Sequence, residues 1–460
     1  MSIVDQIVSR IISTQFEDIP ENLVGSTKKF LLDTIGVAIA GSNAPGVKEL
    51  IELLEEWGGK PESTIFVYGR RIPSPYAALA NSTMVHARDF DDSYDPGRIH
   101  TFVSVFPSTL AIAERRGEIT GKEFLTAIIL GIDLICRLSL LAIKSKRGFL
   151  RTATCGAFGA AVSSSRILGL DSIKMSNALG IVYSQVAGNS QCVEERVLVK
   201  RIQPGFSAQA GVISTLLAEK GITGPKEIFK GKYGFFNLYY PGVIDEDLQG
   251  LVDFEKVKFM GTDLSFKPYP CCRSTHAGID AAIQIMDKHN IPLEMIDRVN
   301  VLVPPSTYDT VGKPLEFKEN PEVEAQFSLP YTIAVALINK SVSLEDFERK
   351  RVIENVLVHQ MMRKVLITIN EGLKKSDLSV STPVIIEINL KDGKKIYHKV
   401  DYRKGSPENP FSWGQVIEKF NDCVHHAAKT LKQERVERLV DVIMNLEHME
   451  DVSLIAELIA

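Results

Sequence analysis

From Pro73 to about Gly221 nearly every segment carries the apolar spacing of a helix, with Gly, Ala and Ser where other helices would pack. Small residues there let backbones approach closely, so this span commits the chain to a compact helical bundle. One stretch inside it breaks the pattern. Asn81-Ser-Thr-Met-Val-His-Ala-Arg-Asp-Phe-Asp-Asp-Ser-Tyr-Asp-Pro-Gly-Arg-Ile-His100 packs four acids, two arginines and two histidines into twenty residues. Apolar runs flank it, Ala77 to Val85 and Phe102 to Ala113, and a solvated charge run does not sit between core segments. It reads as the end of one buried helix, a polar turn closed by Pro96-Gly97, and the start of another. Acids and bases at the mouth of a helical core take shifted pKa values, which proton transfer needs. The competing reading is an interhelix loop with a capping acid and surface charges.

A chain of 460 residues exceeds one ordinary core, so two domains are expected. A formal net charge of −4 gives no electrostatic case for nucleic acid or an anionic membrane. Cysteines 136, 155, 192, 271, 272 and 423 form no CxxC pair, which fits reduced thiols and a cytoplasmic setting. The start Met1-Ser-Ile-Val-Asp-Gln lacks the basic and apolar runs of a signal peptide. Phe124 to Ile143 is the most apolar long stretch, and Asp133 and Arg137 within it mark a core helix rather than a membrane span.

Along the chain, helices are expected over 2–15, from Pro20 to Gly41 and from Val47 to Trp57, then a strand-like island Ser63–Tyr68. Asp171 reads as an N-cap, and a small-residue helix is expected to begin near Pro204. After Gly261 the pattern changes. Helices Thr275–His289 and Glu324–Ile338 mix with strands Arg298–Val303, Ser381–Leu390 and Lys395–Val400, the last two joined by an Asp-Gly turn. The chain is therefore read as mostly α: a large discontinuous helical domain, residues 1–266 and 409–460, with an inserted α+β domain, 267–408.

Three further segments concentrate charge in apolar surroundings. Arg147 to Ala161 carries Arg151 and Thr152 at the entrance of a Gly-rich helix. Val199 to Gly211 places Lys200, Arg201 and Gln203 at a helix start, where cations and amides suit a carboxylate. Phe266 to His276 fixes its backbone with two prolines and carries Lys267, Cys272, Arg273 and His276. Adjacent cysteines seldom share one tetrahedral zinc, and no second ligand pair is spaced for it. Asp91-Asp-Ser-Tyr-Asp95 also matches the DDxxD pattern with which helical prenyl-diphosphate enzymes hold Mg²⁺, but the second acidic motif those enzymes need is missing.

Taken together these segments resemble the MmgE/PrpD family over almost the whole chain. The similarity runs from Leu32-Asp-Thr-Ile-Gly-Val-Ala-Ile-Ala-Gly41 through His86-Ala-Arg-Asp-Phe-Asp-Asp-Ser93, His100, Gly156-Ala-Phe-Gly-Ala-Ala and Lys200-Arg-Ile-Gln-Pro-Gly to Lys267-Pro-Tyr-Pro and His276-Ala-Gly-Ile-Asp280. The family includes 2-methylcitrate dehydratase, cis-aconitate decarboxylase and iminodisuccinate epimerase. The resemblance implies a helical domain with an α+β lid, usually a homodimer, acting on a di- or tricarboxylate without metal or organic cofactor. It also implies residue roles: Asp89 as an active-site aspartate, Ser93 where the decarboxylase has threonine, and His100 as the catalytic histidine. Lys200 and Lys267 would bind substrate carboxylates, and Tyr308 would be an active-site tyrosine. Leu150 and Gln203 stand where the family often has histidine, and Cys272 where the decarboxylase has one, which points to a different polycarboxylate, or a dicarboxylate, rather than cis-aconitate or 2-methylcitrate.

The expected chemistry is dehydration of a hydroxy-carboxylate. His100 is the general acid or base, Asp89 its partner, and Lys200, Arg201, Lys267 and Arg273 the cations around a developing enediolate. All are expected to line one cation-rich pocket. The same proton abstraction without a leaving group gives an epimerase, and a non-catalytic helical dimer is the third reading.

Overall fold

The computed structural model describes residues 1–145, 147–373 and 383–460. Two compact units emerge: Met1–Glu194, Val199–Leu264 and Ser412–Ala460 form the first, and Glu195–Leu198 with Ser265–Phe411 the second.

The first unit is helical. Its centre is built from Glu21–Gly41, Ser74–His86, Phe102–Arg116, Gly121–Ala142, Arg151–Ile167 and Val199–Glu219. Every residue from Thr152 to Ser165 is buried, which is why that helix is written in Ala, Gly, Ser and Thr. Small residues set the spacing. A Cβ on Gly205 would lie 2.8 Å from the Leu79 carbonyl oxygen, and one on Gly211 would lie 2.7 Å from the Ala160 carbonyl carbon. Backbones thus meet almost directly, and dispersion contacts are dense. Gly121–Ala142 is long and apolar enough to cross a bilayer, but 89% of its most apolar window is buried against the other helices. Its Asp133 and Arg137 pair at 3.0 Å one turn apart. Caps follow the sequence signals: Thr120 with Glu123 forms a capping box, and Asp171 accepts the Lys174 amide at 2.8 Å.

Two expectations need correction here. Helix Val199–Glu219 does not begin near Pro204; it starts five residues earlier and carries Pro204 inside. Lys200, Arg201 and Gln203 therefore project from its first turns rather than preceding it. Pro204 is the sixth helical residue, so the helix forgoes there the hydrogen bond that an amide would make to the Lys200 carbonyl. The island at Ser63 is only a two-residue strand, β1 (Ser63–Thr64), paired antiparallel with β2 (Arg71–Ile72).

The second unit is a four-stranded sheet under helices. Strand order is β4 (Val365–Ile369), β3 (Ile296–Val303), β5 (Val384–Leu390), β6 (Lys395–Val400). β3 and β4 run parallel; β5 pairs antiparallel with both β3 and β6. Ile296, Val299, Val301 and Val303 of β3 are buried, with Val384, Ile386 and Ile388 of β5. Helix His276–His289 packs on β5 and β6, and Leu329–Asn339 on β4. The strand β4 was not anticipated, although Val365-Leu-Ile-Thr-Ile carries the β-branched signal. The expected helix Glu324–Ile338 is two helices, Pro321–Gln326 and Leu329–Asn339, because Ser328 caps a new start through the Tyr331 amide. Ser381 and Thr382, placed in a strand by their sequence, lie outside the described residues.

Candidate active site

The charge-dense stretch between helices Ser74–His86 and Phe102–Arg116 is buried. Asp91 and Asp92 are fully enclosed, Asp89 and Ser93 nearly so. The surface-loop reading therefore fails. Tyr94 and Ile99 exchange backbone hydrogen bonds across the Pro96-Gly97 turn. Asp92 ties the turn to the next helix by accepting from the Thr101 amide and hydroxyl, both at 2.8 Å, and the Phe102 amide at 3.0 Å. Asp89 sits at φ +51°, a left-handed conformation uncommon for a non-glycine residue. From above, Lys419 holds the segment: its ammonium pairs with buried Asp33 at 2.7 Å and donates to the Phe90 carbonyl at 2.9 Å.

Polar side chains converge on this frame. Lys200, from helix Val199–Glu219, reaches Asp89 Oδ1 at 2.6 Å. The His100 ring has its Nδ1 2.6 Å from the Asp92 carbonyl oxygen and 3.3 Å from Asp91 Oδ2. Its backbone amide donates to the Thr152 hydroxyl. A carbonyl oxygen only accepts, so Nδ1 carries the proton and Nε2 of the neutral ring offers its lone pair. His86 packs edge-on against His100, ring centroids 4.9 Å apart, with its Nδ1 2.8 Å from the same Asp91 oxygen. Burial, then the charge of Lys200, lowers the His86 pKa; Asp91 opposes both. Burial, then Asp91, pushes the Asp92 carboxyl up to about 7.

The other expected residues divide. In the first unit Ser93 donates to Asp95 at 2.7 Å. Arg201 donates to the Pro45 carbonyl at 2.8 Å. Gln203 spends its amide on Asn189 and on the Cys192 sulfur, tying down the 189–192 loop. In the second unit Lys267 is almost completely buried, and Arg273 is buried with its Nη1 3.2 Å from His276 Nδ1 and from the Lys404 carbonyl. His276 donates Nε2–H to the Cys271 carbonyl, and its Nδ1 accepts from the Arg273 guanidinium, whose charge opposes a metal ion there. Its pKa falls well below the ordinary value through burial, then Arg273, Lys267 and Arg403. Cys272 is half-buried and its amide donates to the Gln326 carbonyl. Tyr308, half-buried, opens a five-residue π-turn, Tyr308–Gly312.

From sequence His86 carried no role of its own, and Asp91 and Asp92 were weighed only as part of a DDxxD metal pattern; the five-residue spacing of His86 and Asp91 was visible, but their enclosure was not. His86, Asp89, Asp91 and His100 each offer a ligand atom within 4.8 Å of the others, a spacing within reach of a divalent cation. The Lys200 ammonium already lies against Asp89 and would repel one, and Asp91 Oδ2 already serves two imidazoles. The three acids of the DDxxD pattern do not converge on a cation either: Asp91 faces the histidines, Asp92 the helix start and Asp95 Ser93. The arrangement is a buried set of imidazoles and carboxylates with one ammonium built in, groups chemically able to give and take protons.

Models of two known domains match this chain, the MmgE/PrpD N-terminal domain over residues 5–246 and the MmgE/PrpD C-terminal domain over 269–445. The chain belongs to the MmgE/PrpD family. Among its relatives is the cis-aconitate decarboxylase of Mus musculus, 27% identical with 100% of this chain and 93% of the relative aligned. The Homo sapiens enzyme of the same name is 26% identical over 100% of this chain and 94% of the relative. That of Aspergillus terreus is 25% identical over 96% and 93%. As expected of this family, the fold is mostly α with a small mixed sheet in the C-terminal region.

Proposed function

We propose that the protein is a cofactor-independent lyase that removes a proton alpha to a carboxylate of a hydroxy di- or tricarboxylate and expels water. The observation that carries this reading is the fixed ring of His100. Its Nδ1 is committed to the Asp92 carbonyl, so Nε2 is the base, beside a Lys200–Asp89 pair. Nε2 takes the C–H proton and the electron pair moves into the adjacent carboxylate, where the Lys200 ammonium stabilises the enediolate. The double bond forms as the C–O bond breaks, and the departing hydroxide recovers a proton and leaves as water. No electron is gained or lost overall.

Lys267, Arg273, Cys272 and Tyr308 are proposed to act on the same substrate through the family resemblance; Ser93, Arg201 and Gln203 are proposed to shape its site. Epimerisation shares the first step, whereas decarboxylation breaks a C–C bond to release CO₂ and needs a proton delivered to the carbanion that remains. Decarboxylation is favoured by the names of the relatives, and epimerisation needs only return of the proton to the opposite face. We also propose a homodimer in a cytoplasmic setting; a cysteine spacing with no CxxC pair fits the latter.

The test is incubation of the purified protein with hydroxy di- and tricarboxylates and with cis-aconitate in D₂O, followed by NMR. An alkene product with loss of water is the expected result. Release of CO₂ from cis-aconitate would assign a decarboxylase, and deuterium uptake alone an epimerase. No exchange or turnover with any acid overturns the reading.

A further inference from the structure

We propose that Asp91, held by His86, is a positioning residue that supports the Nδ1–H tautomer of His100 alongside the Asp92 carbonyl and stabilises the protonated ring. The inference rests on the reading of His100 as the base, and it goes beyond it by naming the groups behind that base.

The geometry is specific. One carboxylate oxygen, Asp91 Oδ2, lies 2.8 Å from His86 Nδ1 and 3.3 Å from His100 Nδ1. The side chains of Asp91 and His86 are 0% and 1% exposed, so neither touches bulk water. Facing a carboxylate, His86 Nδ1 carries its proton. The other nitrogen, His86 Nε2, is buried without a hydrogen-bond partner among the described residues. Placing an N–H there would leave a buried donor unsatisfied, so His86 stays neutral. A neutral His86 orients Asp91 without cancelling its charge. That charge is then available when His100 accepts a proton and becomes a cation 3.3 Å away.

Other charged groups border the ring. Asp89 and Lys200 neutralise each other at 2.6 Å, Lys200 coming from the helix packed alongside. Asp92 supplies its carbonyl to Nδ1 and turns its carboxyl to the Thr101 and Phe102 amides. Arg151, from the helix that also contributes Thr152, donates to the Gly97 carbonyl. Asp91 thus places a carboxylate oxygen against the Nδ1 edge of the His100 ring.

The test needs no substrate. Protein labelled with ¹⁵N-histidine is titrated by long-range proton–nitrogen NMR, with His100→Gln assigning the signal. In the wild type the neutral His100 ring is expected as the Nδ1–H tautomer. Asp91→Asn should lower its titration midpoint by about one pH unit or more, the size expected on losing an adjacent opposite charge. His86→Asn, which keeps an N–H near the Nδ1 position, should preserve the wild-type midpoint, whereas His86→Leu should lower it. An Nε2–H tautomer in the wild type overturns the proposal without any variant. So does an unchanged midpoint in a folded Asp91→Asn protein. Where a substrate is turned over, the acid limb of the Asp91→Asn pH–rate profile should move down in parallel with KM unchanged. Absence of turnover would count against the lyase reading alone, since the NMR titration is read on the resting protein.

Discussion

At the scale of single residues, the site turns on what buries each acid. His100→Ala should reduce turnover by about 10²–10⁴-fold, the usual contribution of a general base, with the circular dichroism spectrum unchanged. A variant that retains wild-type turnover would move the base elsewhere. Asp92 makes a separate prediction about stability. Its carboxyl titrates near 7 in the folded protein and near 3.8 when unfolded. Between these values the folded state holds a proton that the unfolded state has released, so its contribution to stability is full at low pH and is lost as pH rises through that window. The melting temperature of Asp92→Asn, compared with wild type from about pH 4 to about pH 7, should lack this decline. A constant difference across the range would show that the three hydrogen bonds to Asp92 outweigh its burial.

At the scale of elements, two contacts hold the reactive turn against its helices. Helix Val199–Glu219 can bring Lys200 to Asp89 only because Gly205 admits the backbone of helix Ser74–His86. Gly205→Val should destabilise the fold by roughly 1–3 kcal/mol, the cost of overpacking, rather than gain from the better helix propensity of a side chain. Denaturant unfolding measures it, and a neutral or stabilising result would mean the helices can separate cheaply. The Lys419–Asp33 pair is deeply buried, 6% and 0% exposed at the side chains. Lys419→Met removes the buried cation beside Asp33 and should cost about 3–5 kcal/mol, whereas replacing both partners by apolar residues should recover much of the loss. Equal losses in the single and double variants would contradict that account.

At the scale of the whole molecule, helix Val199–Glu219 exposes Val199, Phe206 and Leu217, at 42%, 49% and 38%. A dimer fits a chain that leaves such side chains in water. Light scattering should return twice the 50.9 kDa chain mass, and a monomer across the accessible concentration range would remove that proposal.

The class of fold was legible in the sequence because helix signals are local: apolar spacing, capping acids, glycine stops and an Asp-Gly turn all act within a few residues. Strand β4 and the break at Ser328 were not, since a five-residue apolar run and a mid-helix serine each fit two local structures. The polar segments and the family resemblance they carry likewise put forward Asp89, Lys200 and His100, whose side chains the fold gathers into one cluster. What the chain alone could not decide is enclosure and partnership. Asp89 and Lys200 are 111 residues apart and meet through helix packing, while Gln203 turns to Asn189 and Cys192. His86 and Asp91 stand only five apart, yet their importance follows from the exclusion of water around both, and burial is a property of the packed molecule.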